Sequence, residues 1–106
     1  MPVARVSIMV VKPFNRKEMD RLQEALEEHL SKLRGFTMGF SFEAIGEKDT
    51  LGRVTVWATE DDANRAATEN HTVALRAQMH LLQEPGHTDH LVQIIGTPKN
   101  LPHALH

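Results

Sequence analysis

Val54-Thr55-Val56-Trp57-Ala58-Thr59-Glu60-Asp61-Asp62-Ala63 changes its period in mid-stretch. Its first half alternates, with Val54 and Val56 on one side of a strand and Thr55 and Trp57 on the other, while its second half has the chemistry of a helix start. Thr59 is placed as the N-cap, Asp62 stands at the reciprocal position, and Glu60 and Asp61 complement the positive end of the helix dipole. A strand feeding directly into a capped helix calls for a layered domain that mixes sheet and helix.

Toward the N-terminus, the polar Gly46–Gly52 stretch predicts a hairpin turn into the strand Arg53–Ala58. Before it, Phe36, Met38, Phe40 and Phe42 alternate with Thr37, Gly39, Ser41 and Glu43 as a half-buried strand. Met19, Leu22, Leu26, Leu30 and Leu33 recur at helical spacing from Arg16, with Asn15 and Glu18 as a capping box and Gly35 as the stop. Ala4–Lys12 alternates as a first strand, with Val6, Ile8 and Val10 on one face, and Pro13 ends it.

Toward the C-terminus, Ala63, Ala66, Ala67 and Ala74 form a small-residue stripe that lets the helix lie close to a sheet. The stripe fails around Asn70-His71-Thr72, where the spacing predicts a break, with Thr72 capping a segment that carries Leu75, Met79 and Leu82. Pro85-Gly86 ends it, Leu91–Ile95 is the last strand, and residues 97–106 form a Pro-containing tail behind a domain of residues 1–96.

The order β-α-β-β-α-β predicts an α+β domain, a ferredoxin-like four-stranded antiparallel sheet with two helices on one face. Alternation leaves two assignments open. Either Val6, Val54, Phe40 and Val92 face the helices, or Ser7, Met9, Thr37, Ser41, Thr55, Trp57 and Ile95 do. Both expose large apolar side chains on the uncovered face, which predicts a homodimer closed sheet to sheet.

Composition limits the function. The chain has 106 residues, room for one domain, and folding buries roughly 65% of the surface of a chain this size, so its own core is thin. A formal charge of −2 predicts no nucleic-acid binding, and the longest notable apolar run, Ile8–Val11, predicts no membrane span. The absence of cysteine excludes disulfides and cysteine nucleophiles and is compatible with a reducing cytoplasm, the expected location. Seven histidines and a pI near 6.4 predict a solubility minimum near pH 6.

The Val54–Ala63 junction, the Leu33-Arg34-Gly35-Phe36 junction and the element order over residues 3–96 resemble the antibiotic-biosynthesis-monooxygenase family of dimeric α/β-barrel proteins. That resemblance implies a dimeric barrel and, in one branch, oxidation of phenolic or quinol-like aromatic substrates without metal, flavin or other cofactor, in an apolar pocket between sheet and helices. The haem-degrading branch carries Asn on the first strand and Trp and His on the second helix. Here the matching positions hold Ser7 or Ile8, Ala66 or Ala67, and Arg76, which argues against haem degradation.

On this resemblance Trp57 and His71 are the candidate catalytic residues, and Arg76, Phe40, Met79 and Ser7 the candidate substrate-binding residues. Trp57 matches in position, at the strand end, though a lone Trp also serves as core. His71 suits a base that takes a phenolic proton, having an ordinary pKa near 6.5, and equally suits a solvent-facing cap. Arg76 suits an anchor for an anionic group. His87-x-x-His90 with His80 or Glu84 has metal-ligand types, but His80 and Glu84 also read as an exposed helix pair, and no metal is expected. Two other functions stand beside the oxygenase. One is binding of a small hydrophobic ligand without catalysis. The other follows a resemblance of the first 35 or so residues to the tautomerase superfamily, in which Pro2, freed of Met1, is the base.

Overall fold

The structure, a computed structural model, describes residues 1–96. It contains β1 (Val3–Val10), α1 (Arg16–Leu30), β2 (Phe36–Glu43), β3 (Thr50–Trp57), α2 (Glu60–Thr68), α3 (Asn70–Leu81) and β4 (Thr88–Gln93). The strands form one sheet in the order β2-β3-β1-β4, every neighbouring pair antiparallel, which is the expected ferredoxin-like order. The second helical region is broken in two, as its lapsed apolar stripe predicts. The predicted tail, with His103 and His106, lies outside the described residues.

The open choice of faces resolves in favour of the Trp57 set, except that Thr37, at the bulge between Phe36 and Met38, and Ile95, past the end of β4, are exposed. Val3, Ser7, Met9, Leu51, Arg53, Thr55 and Trp57 are buried under the helices, packed against Met19, Leu22, Leu26 and Leu30 of α1, Ala63 and Ala66 of α2, and Leu75 and Met79 of α3. Ile8, Val10, Phe40 and Val92 are exposed on the opposite face. Ala74 is also exposed, so the small-residue stripe ends with α2.

Several boundaries differ from the sequence expectations, each for a local reason. Asn15 makes no side-chain capping bond and stands at φ -105 and ψ 6, away from the extended backbone usual for a cap, while the Glu18 side chain pairs with Arg21 one turn along the exposed face. Helix α1 ends at Leu30, a turn before Gly35; Leu33 packs on the core from the following turn, and Gly35, at φ 86, lets the chain reverse into β2. Strand β3 starts at Thr50, within the predicted turn, since Gly52 pairs with both Ile8 and Phe42 and the Phe42 ring covers it. Thr59 caps α2 as predicted, accepting from the Asp62 N–H at 3.1 Å. The cap of α3 is Glu69, whose carboxylate accepts from the Thr72 N–H at 2.8 Å, so Thr72 is the capped residue and not the cap. Strand β4 begins at Thr88, which places Asp89 and His90 in the sheet on opposite faces.

Just past α3, the Lys12 N–H donates to the Leu82 carbonyl at 2.8 Å and the Glu84 N–H to the Val10 carbonyl at 2.7 Å. These bonds tie the end of α3 to the end of β1 and hold Met79 and Gln83 over the middle of the sheet. Glu84 is therefore beyond the helix, and the expected helical pair of His80 with Glu84 does not form.

Candidate active site

A polar row crosses the helix-covered face. Ser41 pairs with Arg53, Arg53 with Ser7, and Ser7 with Asp89, one residue from each strand. Strand alternation puts all four on the same side as Trp57, where α1 and α3 close over Arg53 and Ser7.

Arg53 is 5% exposed. Its guanidinium donates to Gln23 Oε1 at 3.0 Å and approaches Ser7 Oγ at 3.5 Å, both neutral. Burial lowers its pKa to about 10, with repulsion from Arg76 and Arg5 adding to the effect and Asp89 and Glu27 opposing it. It remains a cation at neutral pH. Gln23, the polar residue on the buried face of α1, is what answers it.

Asp89 serves two cations, accepting from Arg76 at 2.7 Å and Arg5 at 3.4 Å. Its burial pushes the carboxyl up, and the two guanidinium groups outweigh that and hold it below its ordinary value. Glu27, the remaining nearby carboxylate, accepts from the Ser41 hydroxyl at 2.7 Å. Three guanidinium groups thus face two carboxylates in a partly dry space, leaving one positive charge over.

Two cavities share Arg53 and Arg76 as walls, each of about 20 Å³. That is room for about one water molecule. One is lined by Trp57, Thr55, Thr72 and the alanines of α2. There the Trp57 Nε1–H donates to Thr55 Oγ1 at 3.0 Å, and the Phe36 ring meets the indole edge to face at 5.4 Å. Thr72 Oγ1, in the same lining, is buried and has no hydrogen-bond partner. The other cavity is lined by Ser7, Met79 and Gln83, with His80 and His87. Those two imidazoles lie 4.8 Å apart, and partial burial, together with the repulsion of His87 and Arg76, lowers the His80 pKa.

Of the residues singled out from the sequence, Trp57, Arg76, Met79 and Ser7 therefore line these cavities. His71 does not: it is exposed at the start of α3, its ring 4.5 Å from that of His29, whose Nε2 lies 2.9 Å from Glu69. Phe40 does not either, because it points out of the uncovered face. Pro2 is exposed and lines neither cavity. His90 pairs with Val6 on the uncovered face, away from His87 and His80. Arg53, Arg5, Asp89, Gln23 and Thr72 are not among the site residues expected from the sequence. The available signal was Arg53 itself, two and four residues from Thr55 and Trp57: once Trp57 is inward, alternation carries a charged residue inward with it.

No family model and no curated protein matches this sequence. Solved structures do match, and they give the chain the fold of the antibiotic biosynthesis monooxygenases. SnoaB from Streptomyces nogalater, described as a cofactor-independent oxygenase, superposes with a TM-score of 0.80 at 14% identity over 91% of this chain and 95% of that one. Rv0793 from Mycobacterium tuberculosis gives 0.84 at 15%, over 93% and 100%. A structure described as an antibiotic biosynthesis monooxygenase gives 0.80 at 13%, over 89% and 99%. At such identities the likeness is one of fold, and it agrees with the resemblance seen at the Val54–Ala63 junction. Among the described residues no helix is long and apolar enough to cross a membrane.

Proposed function

We propose that this protein is a cofactor-independent monooxygenase that oxidises a phenolic or quinol-like aromatic substrate with molecular oxygen between the sheet and its helices. The observation that carries this reading is the buried Arg53 guanidinium, held by neutral groups and set beside Trp57 and Arg76. A quinol or anthrone that has given up a proton to solvent is electron-rich enough to give one electron to oxygen. Fixed positive charge stabilises both the substrate anion and the superoxide that forms from it. The radical pair joins in a carbon–oxygen bond, and a proton returns to the distal oxygen. Loss of water then breaks the oxygen–oxygen bond and leaves a ring carbonyl. One oxygen atom stays in the product and the other leaves as water. A cavity of about 20 Å³ matches oxygen or a single oxygen substituent in size. The shared fold with SnoaB supports the same class of chemistry.

The working unit in this reading is a homodimer. Ile8, Val10, Phe40 and Val92 are each about two-fifths exposed on the uncovered face of the sheet, and a second copy of the same face covers them without any new surface. A chain without cysteine suits a reducing compartment, and the reading places the dimer in the cytoplasm. Oxygen uptake by the purified, chelator-treated protein over a panel of anthrones and quinols tests the activity. Uptake above a boiled control is expected for at least one member, and none across the panel contradicts the proposal.

A further inference from the structure

We infer that the substrate carries a carboxylate and that the Arg53 guanidinium receives it. The inference uses the same site as the proposed oxygenation and adds the class of substrate that fits it. Arg76 bonds Asp89 at 2.7 Å and Arg5 bonds the same carboxylate at 3.4 Å, so each of those cations has a carboxylate as a hydrogen-bond partner. Arg53 is the one without. Its hydrogen bonds go to the neutral Gln23 and Ser7, and Glu27, the other carboxylate in reach of its charge, is bonded to Ser41.

With Asp89 and Glu27 counted, one positive charge is left over, which is the charge of one carboxylate. The planar fork of a guanidinium fits a carboxylate through two parallel hydrogen bonds, which a point cation does not offer. A carboxyl group with an ordinary pKa near 4 is ionised at neutral pH and brings that charge into the site before any phenol, with an ordinary pKa near 10, has lost its proton. A second donor points the same way: Thr72 Oγ1 is buried and unpartnered in the wall that Arg53 shares with Trp57. At about 20 Å³ the cavity is too small for a ring, so only a small head group can approach Arg53 there. Together these features point to an aromatic acid with its carboxylate inward at Arg53.

The chain has one Trp and no Tyr, so emission from Trp57 reports on this cavity without interference. Titrating the protein at neutral pH with benzoate and with benzyl alcohol, which differ in charge and little in size, compares an anion with its neutral counterpart. Benzoate is expected to bind at least about tenfold tighter. In Arg53→Met that advantage is expected to vanish, with benzyl alcohol unaffected and the melting temperature no lower than in the wild type, because an apolar side chain of similar volume relieves a buried charge. Thr72→Val, which keeps shape and fold, is expected to weaken benzoate several-fold and stands in should Arg53→Met not fold. Equal affinities in the wild type, no response to either compound, or a benzoate preference that survives in Arg53→Met each overturn the inference. Oxygen uptake with neutral quinols and no benzoate preference removes this inference and leaves the oxygenase; a benzoate preference without oxygen uptake does the reverse.

Discussion

Arg53 reaches across the gap between β3 and α1 to donate to Gln23 Oε1 at 3.0 Å, so that a buried cation is answered by a neutral amide. Such a pairing satisfies hydrogen bonding without neutralising charge. An apolar pair of the same volume often serves stability as well or better, so the residual charge fits the proposed function.

The pairing predicts strong coupling between the two positions. Gln23→Leu alone strips the best acceptor from a buried guanidinium and is expected to cost about 2–3 kcal/mol of stability in urea denaturation. Combined with Arg53→Met the same change should cost little, since no charge is left unanswered. Additive effects of the two substitutions contradict this account of Arg53.

Asp89 gives the site a pH dependence of known sign. Its carboxyl is held below the ordinary value of 3.8 by Arg76 and Arg5 against the opposing effect of burial, so its contribution is fully present above that value and is lost as the pH falls through the lower folded value. Asp89→Asn should therefore lose about 2 kcal/mol at neutral pH, with the difference from the wild type closing as the solution becomes more acidic than the ordinary carboxyl range. A difference that stays constant into acid means that the ion pairs contribute nothing.

Association through the uncovered face predicts a molecule that unfolds more readily on dilution. Phe40→Glu places a charge among Ile8, Val54 and Val92 and is expected to yield monomers in sedimentation at concentrations where the wild type is a dimer. A wild-type monomer at micromolar concentration rules out the dimer.

Gly35 joins two effects at one position. Its φ is 86, and a methyl group there runs into the Asp62 side chain at the start of α2. Gly35→Ala is expected to cost at least about 1–2 kcal/mol, read as a lower urea midpoint at unchanged slope.

The fold was legible because its signals are periodic: the alternation of Val54–Trp57, the heptad-like spacing of α1 and the Thr59 cap all survive in the structure. What stayed hidden depends on register. A bulge between Phe36 and Met38 turns Phe36 inward to Trp57 while Phe40 points out, and nothing in the even alternation of these residues marks that slip. The missing cap at Asn15 goes with a backbone conformation, φ -105 and ψ 6, that residue type alone does not reveal. Of the residues that line the two cavities, Trp57, Ser7, Met79 and Arg76 could be named from the sequence, because resemblance and spacing point at single residues. The bonds of Arg53 to Gln23 and of Asp89 to Arg76 and Arg5 could not, since they join residues far apart in the chain, and His71 fell outside because the helix break that exposes it faces His29 and Glu69.

The most direct measurement is the fate of oxygen atoms when the protein turns over an anthrone or quinol under heavy-isotope oxygen gas. Mass spectrometry of the quinone should find one heavy atom per molecule and the other in water, with Arg53→Met slowing the reaction about 100-fold and leaving the labelling pattern unchanged. A product that takes its new oxygen from solvent, or a rate indifferent to Arg53, contradicts the account.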